Sequence, residues 1–372
     1  MKILLLIATL VACTSTGESE QAPPPDMNYS YELVTGGIEV PWGMAWLPNG
    51  NMLITDRSGK LFIYSDELTE VSSATLPGDI FARGQGGFLD VEVHPNYEEN
   101  GWIYFTYSAD SGDEGANTNL IRTKLENNQL TNIEILYKGE PYQTGGRHFG
   151  SRVEFDNNGF VFFSIGDRGN RDVLPQDITK DGGKIYRLHD DGSVPADNPF
   201  VNDAGAKTAI YSYGHRNPQG MALNPETGVI WTHEHGPRGG DEINIIEPGK
   251  NYGWPIISYG INYNGTPFAE DTARDGMEQP LIYWDPSIAP SGMTFVTGDK
   301  YPHWKGHVLV GSLKFSYVEL VKLDGDKTVG TEKLLEGIGR VRSIKQAPDG
   351  TIYVGADGQG IFRITATPAS EE

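Results

Sequence analysis

The sequence predicts an all-β protein that folds as a six-bladed β-propeller. Short runs of β-branched and aromatic residues alternate with Gly, Asn, Asp and Pro along the chain, and long stretches with helical spacing of apolar residues are almost absent. A hairpin unit also recurs, with an apolar strand, a polar turn and a second apolar strand in each copy. The six copies cover residues 43–55, 89–106, 153–163, 220–231, 292–310 and 344–354.

The spacing of the copies fits blades of about four strands with insertions between some of them. The turns lie at positions 48, 95, 156, 225, 299 and 348. A pair of β-sandwiches is the alternative, but it does not explain the repeated hairpin. We expect Tyr31–Thr35 to close the ring as an added strand on the blade that ends near Ile361–Ile364, because a closed ring leaves only short strand edges exposed.

The N-terminal sequence predicts export and a lipid anchor. An apolar run from Ile3 to Val11 is too short to span a bilayer and ends just before Cys13, the one cysteine of the chain. This resembles a bacterial lipoprotein signal, with an ordinary signal peptide as the alternative. The protein is therefore expected in the bacterial cell envelope, in contact with a membrane only through its anchor. The expected domains are a signal peptide (1–12), a lipidated Cys13 with a flexible tether (13–28), the propeller (29–366) and a tail (367–372).

The charge balance argues against nucleic acid as a partner. The chain has 29 Lys and Arg against 50 Asp and Glu, a formal net charge of -21. Such a surface repels a phosphate backbone.

A histidine and an aspartate in neighbouring Gly-rich loops form a candidate acid–base pair. His148 lies just before one predicted strand, and Asp167 lies just after the next. A carboxylate that accepts the ring N–H of a histidine fixes its tautomer and raises its basicity, as a general base requires. The alternative is two unrelated polar loop residues.

Three further segments carry residues suited to binding. Segment 211–220 holds Arg216 and Asn217, and segment 233–244 mixes carboxylates with Gly and Pro, whose carbonyl oxygens suit calcium. His233 and His235 could suggest a transition-metal site, but no third ligand stands at a recognisable spacing, which favours simple strand alternation. The third candidate is a cationic group that consists of Lys314, Arg340 and Arg342. Arg340 and Arg342 share a strand face and suit a ligand with several carboxylates, with salt bridges to the protein's own acids as the alternative.

Together these motifs resemble the soluble sugar dehydrogenases that depend on pyrroloquinoline quinone (PQQ), in particular the bacterial periplasmic aldose sugar dehydrogenases. The resemblance extends from about Pro41 to Ile364. The motifs that carry it, in order, are PWGMA (41–45), GQGG (84–87), RHFGSR (147–152), GDRG (166–169), DGSVPADNPF (191–200), GHRNPQG (214–220), GPRGGDEIN (236–244) and NYGWP (251–255).

The resemblance implies a role for each candidate residue. It makes His148 the general base that takes the proton of the anomeric hydroxyl, and Asp167 its orienting acid. It places Gln85, Arg216 and Asn217 around the quinone and sugar, with Arg216 also at the catalytic centre. It assigns Lys314, Arg340 and Arg342 to the carboxylates of PQQ. It implies that the carbonyls of Gly236 and Pro237 hold a Ca²⁺ ion, and that Glu242 and Tyr252 belong to a separate structural calcium site.

The implied activity is the oxidation of aldose sugars to lactones, with electrons passed to an unidentified acceptor. His235 and Arg147 differ in chemical type from the residues at these places in the better-known glucose enzyme, so its sugar preference is not transferred. Loops shorter than those of that dimeric relative suggest a monomer. The alternatives are a propeller that has lost catalysis and acts as a binding module, and a calcium-dependent lactonase. Erosion of the site residues would favour the first, and a central carboxylate-rich metal site without the cationic group would favour the second.

Overall fold

Six four-stranded antiparallel sheets form the part of the chain described by the computed structural model, which covers residues 27–369 except positions 66, 68, 69 and 77. The first twelve strands are β1 (Met27–Thr35), β2 (Pro41–Trp46), β3 (Met52–Asp56), β4 (Lys60–Tyr64), β5 (Glu70–Thr75), β6 (Phe88–Val93), β7 (Ile103–Asp110), β8 (Ala116–Glu126), β9 (Gln129–Lys138), β10 (Val153–Phe155), β11 (Val161–Ile165) and β12 (Lys184–Leu188). The remaining strands are β13 (Ile210–Tyr213), β14 (Pro218–Leu223), β15 (Ile230–Glu234), β16 (Asp241–Ile245), β17 (Ile282–Trp284), β18 (Pro290–Phe295), β19 (Val308–Ser312), β20 (Tyr317–Asp324), β21 (Lys327–Leu334), β22 (Val341–Gln346), β23 (Ile352–Ala356) and β24 (Gly360–Pro368). Helix within these residues is limited to α1 (Tyr97–Asn100) and a 3₁₀ turn, Gly112–Glu114.

The sheets are arranged as the six predicted blades of a β-propeller. Blade 1 consists of β2–β5, and each later blade uses the next four strands, up to blade 5 with β18–β21. The first strand of every blade contacts the first strand of the next, and β22 of blade 6 contacts β2 of blade 1. These six strands therefore form an inner ring around one axis. All six hairpin repeats correspond to the first two strands of a blade, which confirms the predicted fold.

Blade 6 is closed by the N-terminal strand, as predicted. It has the order β22-β23-β24-β1, and Tyr31 pairs with Ile364 across the antiparallel β1–β24 ladder. The ladder is longer than the domain limits of 29 and 366, because Met27 pairs with Pro368 and Asn28 with Thr367. The ladder therefore extends two residues beyond the expected propeller limits at each end. Main-chain pairing at a sheet edge does not require apolar side chains, so the apolar pattern ended before the ladder did.

The glycine of the repeated Gly-Met pair lets neighbouring inner strands approach each other. A Cβ added to Gly43 would lie 2.8 Å from the main-chain nitrogen of Val91, and one on Gly292 would lie 2.5 Å from that of Ile344. Gly292 also has φ +70°, which disfavours other residues. The repeat therefore marks close strand packing near the axis.

A buried arginine, Arg152, ties the inner ring together. Its Nη1 donates to the carbonyl of Trp42 at 2.9 Å and to Asp90 Oδ1 at 3.0 Å, while its Nε donates to the carbonyl of Gln219 at 2.7 Å. Its Nη2 donates to the carbonyl of Arg342 at 2.9 Å. These partners belong to blades 1, 2, 4 and 6, and Arg152 itself precedes β10 of blade 3. One side chain thus bridges five of the six blades.

The predicted N-terminal features lie outside the described residues. They are the signal peptide, the lipidated Cys13 and nearly all of the tether. Within residues 27–369, gaps aside, the structure contains no helix long and apolar enough to cross a membrane.

Candidate active site

The predicted site residues gather on one face of the propeller, at the starts of the inner strands. His148 and Arg216 lie in the segments that lead into β10 and β14, and Arg340 directly precedes β22. Asp167 and Lys314 lie in loops between the second and third strands of their blades. In an antiparallel blade these two kinds of loop emerge on the same side of the sheet. The repeat turns at positions such as 48 and 348 lie on the opposite face.

His148 and Asp167 form the predicted hydrogen-bonded pair, which we call the dyad. The distance from His148 Nδ1 to Asp167 Oδ1 is 2.6 Å. His148 has φ +55°, a conformation in which its own N–H donates to Gln85 Oε1 at 2.7 Å. About 12% of the His148 side chain is exposed, whereas that of Asp167 is almost fully buried. The histidine is therefore the more accessible member of the dyad, and the carboxylate is shielded from solvent.

The surroundings of the dyad favour a neutral imidazole and an ionised carboxylate. Burial lowers the pKa of His148, and the hydrogen bond that it donates to Asp167 offsets only part of this effect. The positive charges of Arg216 and Arg147 act in the same direction as burial. Burial alone would raise the pKa of Asp167, but its bond to His148 and the charge of Arg216 bring it below the ordinary value. With Nδ1 donating to Asp167, Nε2 is left as the basic nitrogen.

We therefore expect His148 to titrate below its ordinary pKa of 6.5. The measurement is a pH titration of the purified protein labelled with ¹⁵N-histidine, with the signal assigned by its loss in His148→Ala. In Asp167→Asn the midpoint should move lower still, because the carboxylate that favours the imidazolium is gone. A midpoint above 6.5, or an upward move in the Asn variant, would contradict this electrostatic description.

Arg216 links the dyad to the neighbouring loops. Its Nη1 donates to the carbonyl of His235 at 2.9 Å, and its main-chain N–H donates to Glu234. Glu234 also accepts from His215 Nδ1 at 2.8 Å. Asn217, the next residue, is buried and accepts the N–H of Gly150 at 3.1 Å. The structure thus places Gln85, Arg216 and Asn217 near the dyad.

A cleft of about 900 Å³ lies beside His235 on the same face. Its walls include Gly236 and Pro237, the predicted calcium-binding pair, together with Lys314 and Arg340. Lys314 is exposed and makes a cation–π contact with Phe315 at 4.8 Å. Arg340 donates from Nη1 to the carbonyl of Leu313 at 2.9 Å, and more than half of its side chain is exposed. Both cations can reach a ligand in the cleft.

Arg342 differs from the other two members of the cationic group. Only about 8% of its side chain is exposed, and it holds Asp357 through two bonds, of 3.1 Å from Nε and 2.8 Å from Nη2. Arg340 lies 3.6 Å from the same carboxylate, so the two arginines do share one side of the strand. The predicted alternative of an internal salt bridge therefore applies to Arg342. Asp357 follows β23, and nothing in the sequence pattern had marked it.

Glu242 belongs to a buried acidic pair on two adjacent strands. It is opposite Glu234 in the β15–β16 ladder, and Asn244 Nδ2 lies 3.3 Å from both side chains. Burial and the charge of Glu234 raise the pKa of Glu242 to about 8. The Tyr252 ring stacks on that of His215, with ring centres 4.6 Å apart, and its hydroxyl donates to the carbonyl of Ile245. Across residues 27–369, apart from the four omitted positions, no group of three or more His, Cys, Asp or Glu side chains is arranged to hold a metal.

The two histidines of segment 233–244 have structural partners. His233 Nε2 lies 3.2 Å from the carbonyl of Gly292, and His235 Nε2 lies 2.7 Å from that of Pro290. Both carbonyls belong to β18 of the next blade. This contact between blades, rather than a transition metal, accounts for the His-x-His spacing.

One side chain beside the dyad received no role from the sequence. Trp254 donates from Nε1 to Asp167 Oδ2 at 2.8 Å, and the guanidinium of Arg216 lies 5.3 Å from its ring centre. The NYGWP motif had signalled that this position matters for the resemblance, but not what it touches. A separation of 87 residues between donor and acceptor conceals such a contact from any local pattern.

Comparison with known proteins supports the same class. The sequence profile of the family described as Glucose / Sorbosone dehydrogenase matches residues 38–363. The chain belongs to this family. It is 41% identical over 344 residues to the aldose sugar dehydrogenase YliI of Escherichia coli K12, which covers 90% of this chain and 91% of the relative.

Solved structures agree with the family assignment. The apo-form of the soluble aldose sugar dehydrogenase of Escherichia coli superimposes with a TM-score of 0.86 at 37% identity, over 92% of this chain and all of that one. The PQQ-bound aldose sugar dehydrogenase of Streptomyces coelicolor superimposes with a TM-score of 0.76 at 26% identity, over 93% of this chain and all of that one. The predicted fold and enzyme class are confirmed: this glucose/sorbosone dehydrogenase family member is an oxidoreductase.

Proposed function

We propose that this family member oxidises aldose sugars at the anomeric carbon to lactones, with PQQ as the electron acceptor and Ca²⁺ as the metal. The observation that carries the proposal is the dyad, whose Nδ1 bond to Asp167 leaves Nε2 as the basic nitrogen, on the same face as a cleft lined by Lys314 and Arg340. The names of the relatives, an aldose sugar dehydrogenase and a PQQ-bound form of one, supply the substrate and cofactor class.

The dyad is suited to removing a hydroxyl proton. His148 is neutral, and its Nδ1–H is held by Asp167, so Nε2 can accept the proton of the anomeric hydroxyl. The charge that develops on the imidazole is stabilised by the ionised Asp167 behind it. As this proton leaves, the C1–H bond breaks with both electrons, and C1 becomes the lactone carbonyl. PQQ, when bound, supplies the acceptor for that hydride.

The cleft fits an anionic, polycarboxylate cofactor. Lys314 and Arg340 are exposed to it, and a guanidinium or ammonium group recognises a carboxylate by charge-assisted hydrogen bonds. Gly236 and Pro237 line the same cleft, and main-chain carbonyls of such residues are among the oxygen donors that Ca²⁺ prefers. For the second proposed calcium site, the observation in favour is Glu242, a buried carboxyl that lies opposite Glu234 on the adjacent strand. Burial and the charge of Glu234 raise the pKa of Glu242, and a bound cation would offset both effects.

The test is reconstitution of protein produced in a host that does not make PQQ. PQQ, Ca²⁺ and several aldoses are added together with a redox dye, and each component is omitted in turn. Dye reduction that requires all three supports the proposal. Quinone binding without sugar oxidation would refute the substrate assignment, and failure to bind the quinone would leave the binding-module alternative.

We expect Lys314→Ala and Arg340→Ala each to weaken PQQ binding by about tenfold, the value of one charge-assisted hydrogen bond. The measurement is a titration of the protein with the quinone, alongside thermal unfolding. Thermal stability should be unchanged, since both side chains are largely exposed. Arg238→Ala is a matched control, because Arg238 is a further cation on the cleft wall. Equal losses in all three variants would indicate a diffuse charge effect and contradict a specific clamp.

We also propose that the protein is exported and anchored by a lipid on Cys13, and that it acts as a monomer in the cell envelope. The support is the resemblance of the first 13 residues to a lipoprotein signal and the completeness of the dyad and cleft within one chain. Mass spectrometry of the mature N-terminus tests the anchor: an acylated Cys13 supports it, and an unmodified N-terminus elsewhere refutes it. Size-exclusion chromatography with light scattering tests the oligomeric state.

A further inference from the structure

We propose that Trp254 is a positioning residue, which fixes the plane of the Asp167 carboxylate and holds Arg216 against the dyad. The inference rests on the proposed function, because it assigns Trp254 a part in sugar oxidation. It goes beyond the resemblance, which gave this side chain no role.

The two oxygens of Asp167 are held from different sides. Oδ1 accepts from His148 Nδ1 at 2.6 Å and from the N–H of Gly169 at 2.7 Å. Oδ2 accepts from Trp254 Nε1 at 2.8 Å. The terminal torsion of an aspartate has a broad, roughly two-fold profile, so bonds to Oδ1 alone leave the carboxylate plane poorly defined. The bond from Trp254 to the second oxygen stops this rotation and keeps Oδ1 directed at His148.

The indole is itself held firmly in place. The Trp254 main-chain N–H donates to the carbonyl of Gly214 at 2.8 Å, and its carbonyl accepts from Gln176 Nε2 at 2.8 Å. The edge of its ring packs against Phe268 at 5.2 Å, with an interplanar angle of 71°. The side chain is nearly completely buried, so its N–H is protected from water.

The ring of Trp254 also reaches the second group beside the dyad. The Arg216 guanidinium lies 5.3 Å from the ring centre, within the range of a cation–π interaction. The charge of Arg216 favours both a neutral His148 and an ionised Asp167. The Trp254 indole therefore has two contacts. Its N–H fixes the Asp167 carboxylate, and its ring holds the Arg216 charge that favours a neutral His148 and an ionised Asp167.

The test compares Trp254→Phe with Trp231→Phe. Trp231 is a fully buried tryptophan in β15 whose Nε1 has no hydrogen-bond partner among the described residues, so its replacement removes an indole without removing a bond. We expect Trp254→Phe to lower kcat by about tenfold, which is less than the rate enhancement of about 10² to 10⁴ that a general base contributes. KM and the affinity for PQQ should be unchanged. Trp231→Phe should leave kcat unchanged.

The second readout needs neither cofactor nor sugar. In protein labelled with ¹⁵N-histidine, His148 should show a single tautomer with the proton on Nδ1, in the wild type and in Trp231→Phe. In Trp254→Phe we expect a mixture of tautomers, because Asp167 no longer presents a fixed acceptor. A single Nδ1–H tautomer in Trp254→Phe, with kcat equal to that of the control, would overturn the proposal.

These outcomes separate the inference from the proposed function. If the wild type oxidises no aldose but the tautomer changes only in Trp254→Phe, the function is wrong and the positioning role stands. If Trp254→Phe does not fold, benzothienylalanine at position 254 replaces it, since this analogue keeps the ring shape and exchanges the N–H for sulfur. The same tautomer mixture is expected there, and its absence would refute the role.

Discussion

Replacing His148 with alanine is expected to reduce kcat for aldose oxidation by a factor of about 10² to 10⁴, the contribution of a well-placed general base. The physical reason is that His148 offers its unbonded Nε2 to the substrate hydroxyl while Asp167 holds Nδ1 at 2.6 Å. Binding of PQQ should be nearly unchanged, because the residues proposed to hold its carboxylates line the cleft and do not include His148. The measurement is steady-state kinetics beside a quinone titration.

A histidine on the opposite face serves as the control. His189 is exposed, and its ring lies beside Phe160 of the turn between β10 and β11. His189→Ala should keep the wild-type kcat. If His148→Ala also turns over sugar at the wild-type rate, His148 is not the base. If it instead loses PQQ binding, its role is in cofactor binding rather than in proton transfer.

Replacing Arg152 with methionine is expected to lower the free energy of unfolding by about 3 to 5 kcal/mol, the usual cost of removing one partner of a buried ion pair. Asp90 would remain buried without its guanidinium partner, which now lies at 3.0 Å. The carbonyls of Trp42, Gln219 and Arg342 would also lose a donor. Urea denaturation at pH 7 measures the effect.

Two variants make this test specific. Arg363→Met removes an ion pair with Glu32 at the outer edge of blade 6, where both side chains are about half exposed, and should cost at most about 1 kcal/mol. In the double variant Arg152→Met with Asp90→Asn, the buried charge is gone, so the loss should be smaller than in Arg152→Met alone. Equal losses of unfolding free energy in Arg152→Met and Arg363→Met would show that Arg152 does not hold the blades together.

The repeated parts of the fold could be predicted because each blade presents its own apolar strands and turn. The apolar strands, the polar turns and the closing segment near Tyr31 are local signals, and the structure has each of them at the predicted place. The dyad was also predictable, since His148 and Asp167 flank two consecutive strands of one hairpin. Adjacent antiparallel strands bring such ends together whatever the rest of the chain does.

Contacts between distant segments could not be predicted in the same way. Arg342 resembles Arg340 in the sequence, and both lie near Asp357. Only the folded structure shows that Arg342 is buried in this ion pair, whereas Arg340 is more than half exposed and lines the cleft. Trp254 reaches Asp167 from the insertion between the third and fourth strands of blade 4. Arg152 bonds carbonyls of blades 1, 4 and 6 and the Asp90 carboxylate of blade 2. Such partners are determined by closure of the ring, which no single repeat encodes.

The closing strand β1 also determines on which side of the propeller the N-terminal end of the described residues lies. β1 runs antiparallel to β24, with Thr35 beside Ile361 near the cleft face and Met27 beside Pro368 at the far side. Met27, the first described residue, therefore lies at the outer rim on the side away from the dyad. A surface to which the protein was tethered through this end would meet the back of the disc, and the mouth of the cleft would stay open to diffusing sugar and to an electron-accepting partner.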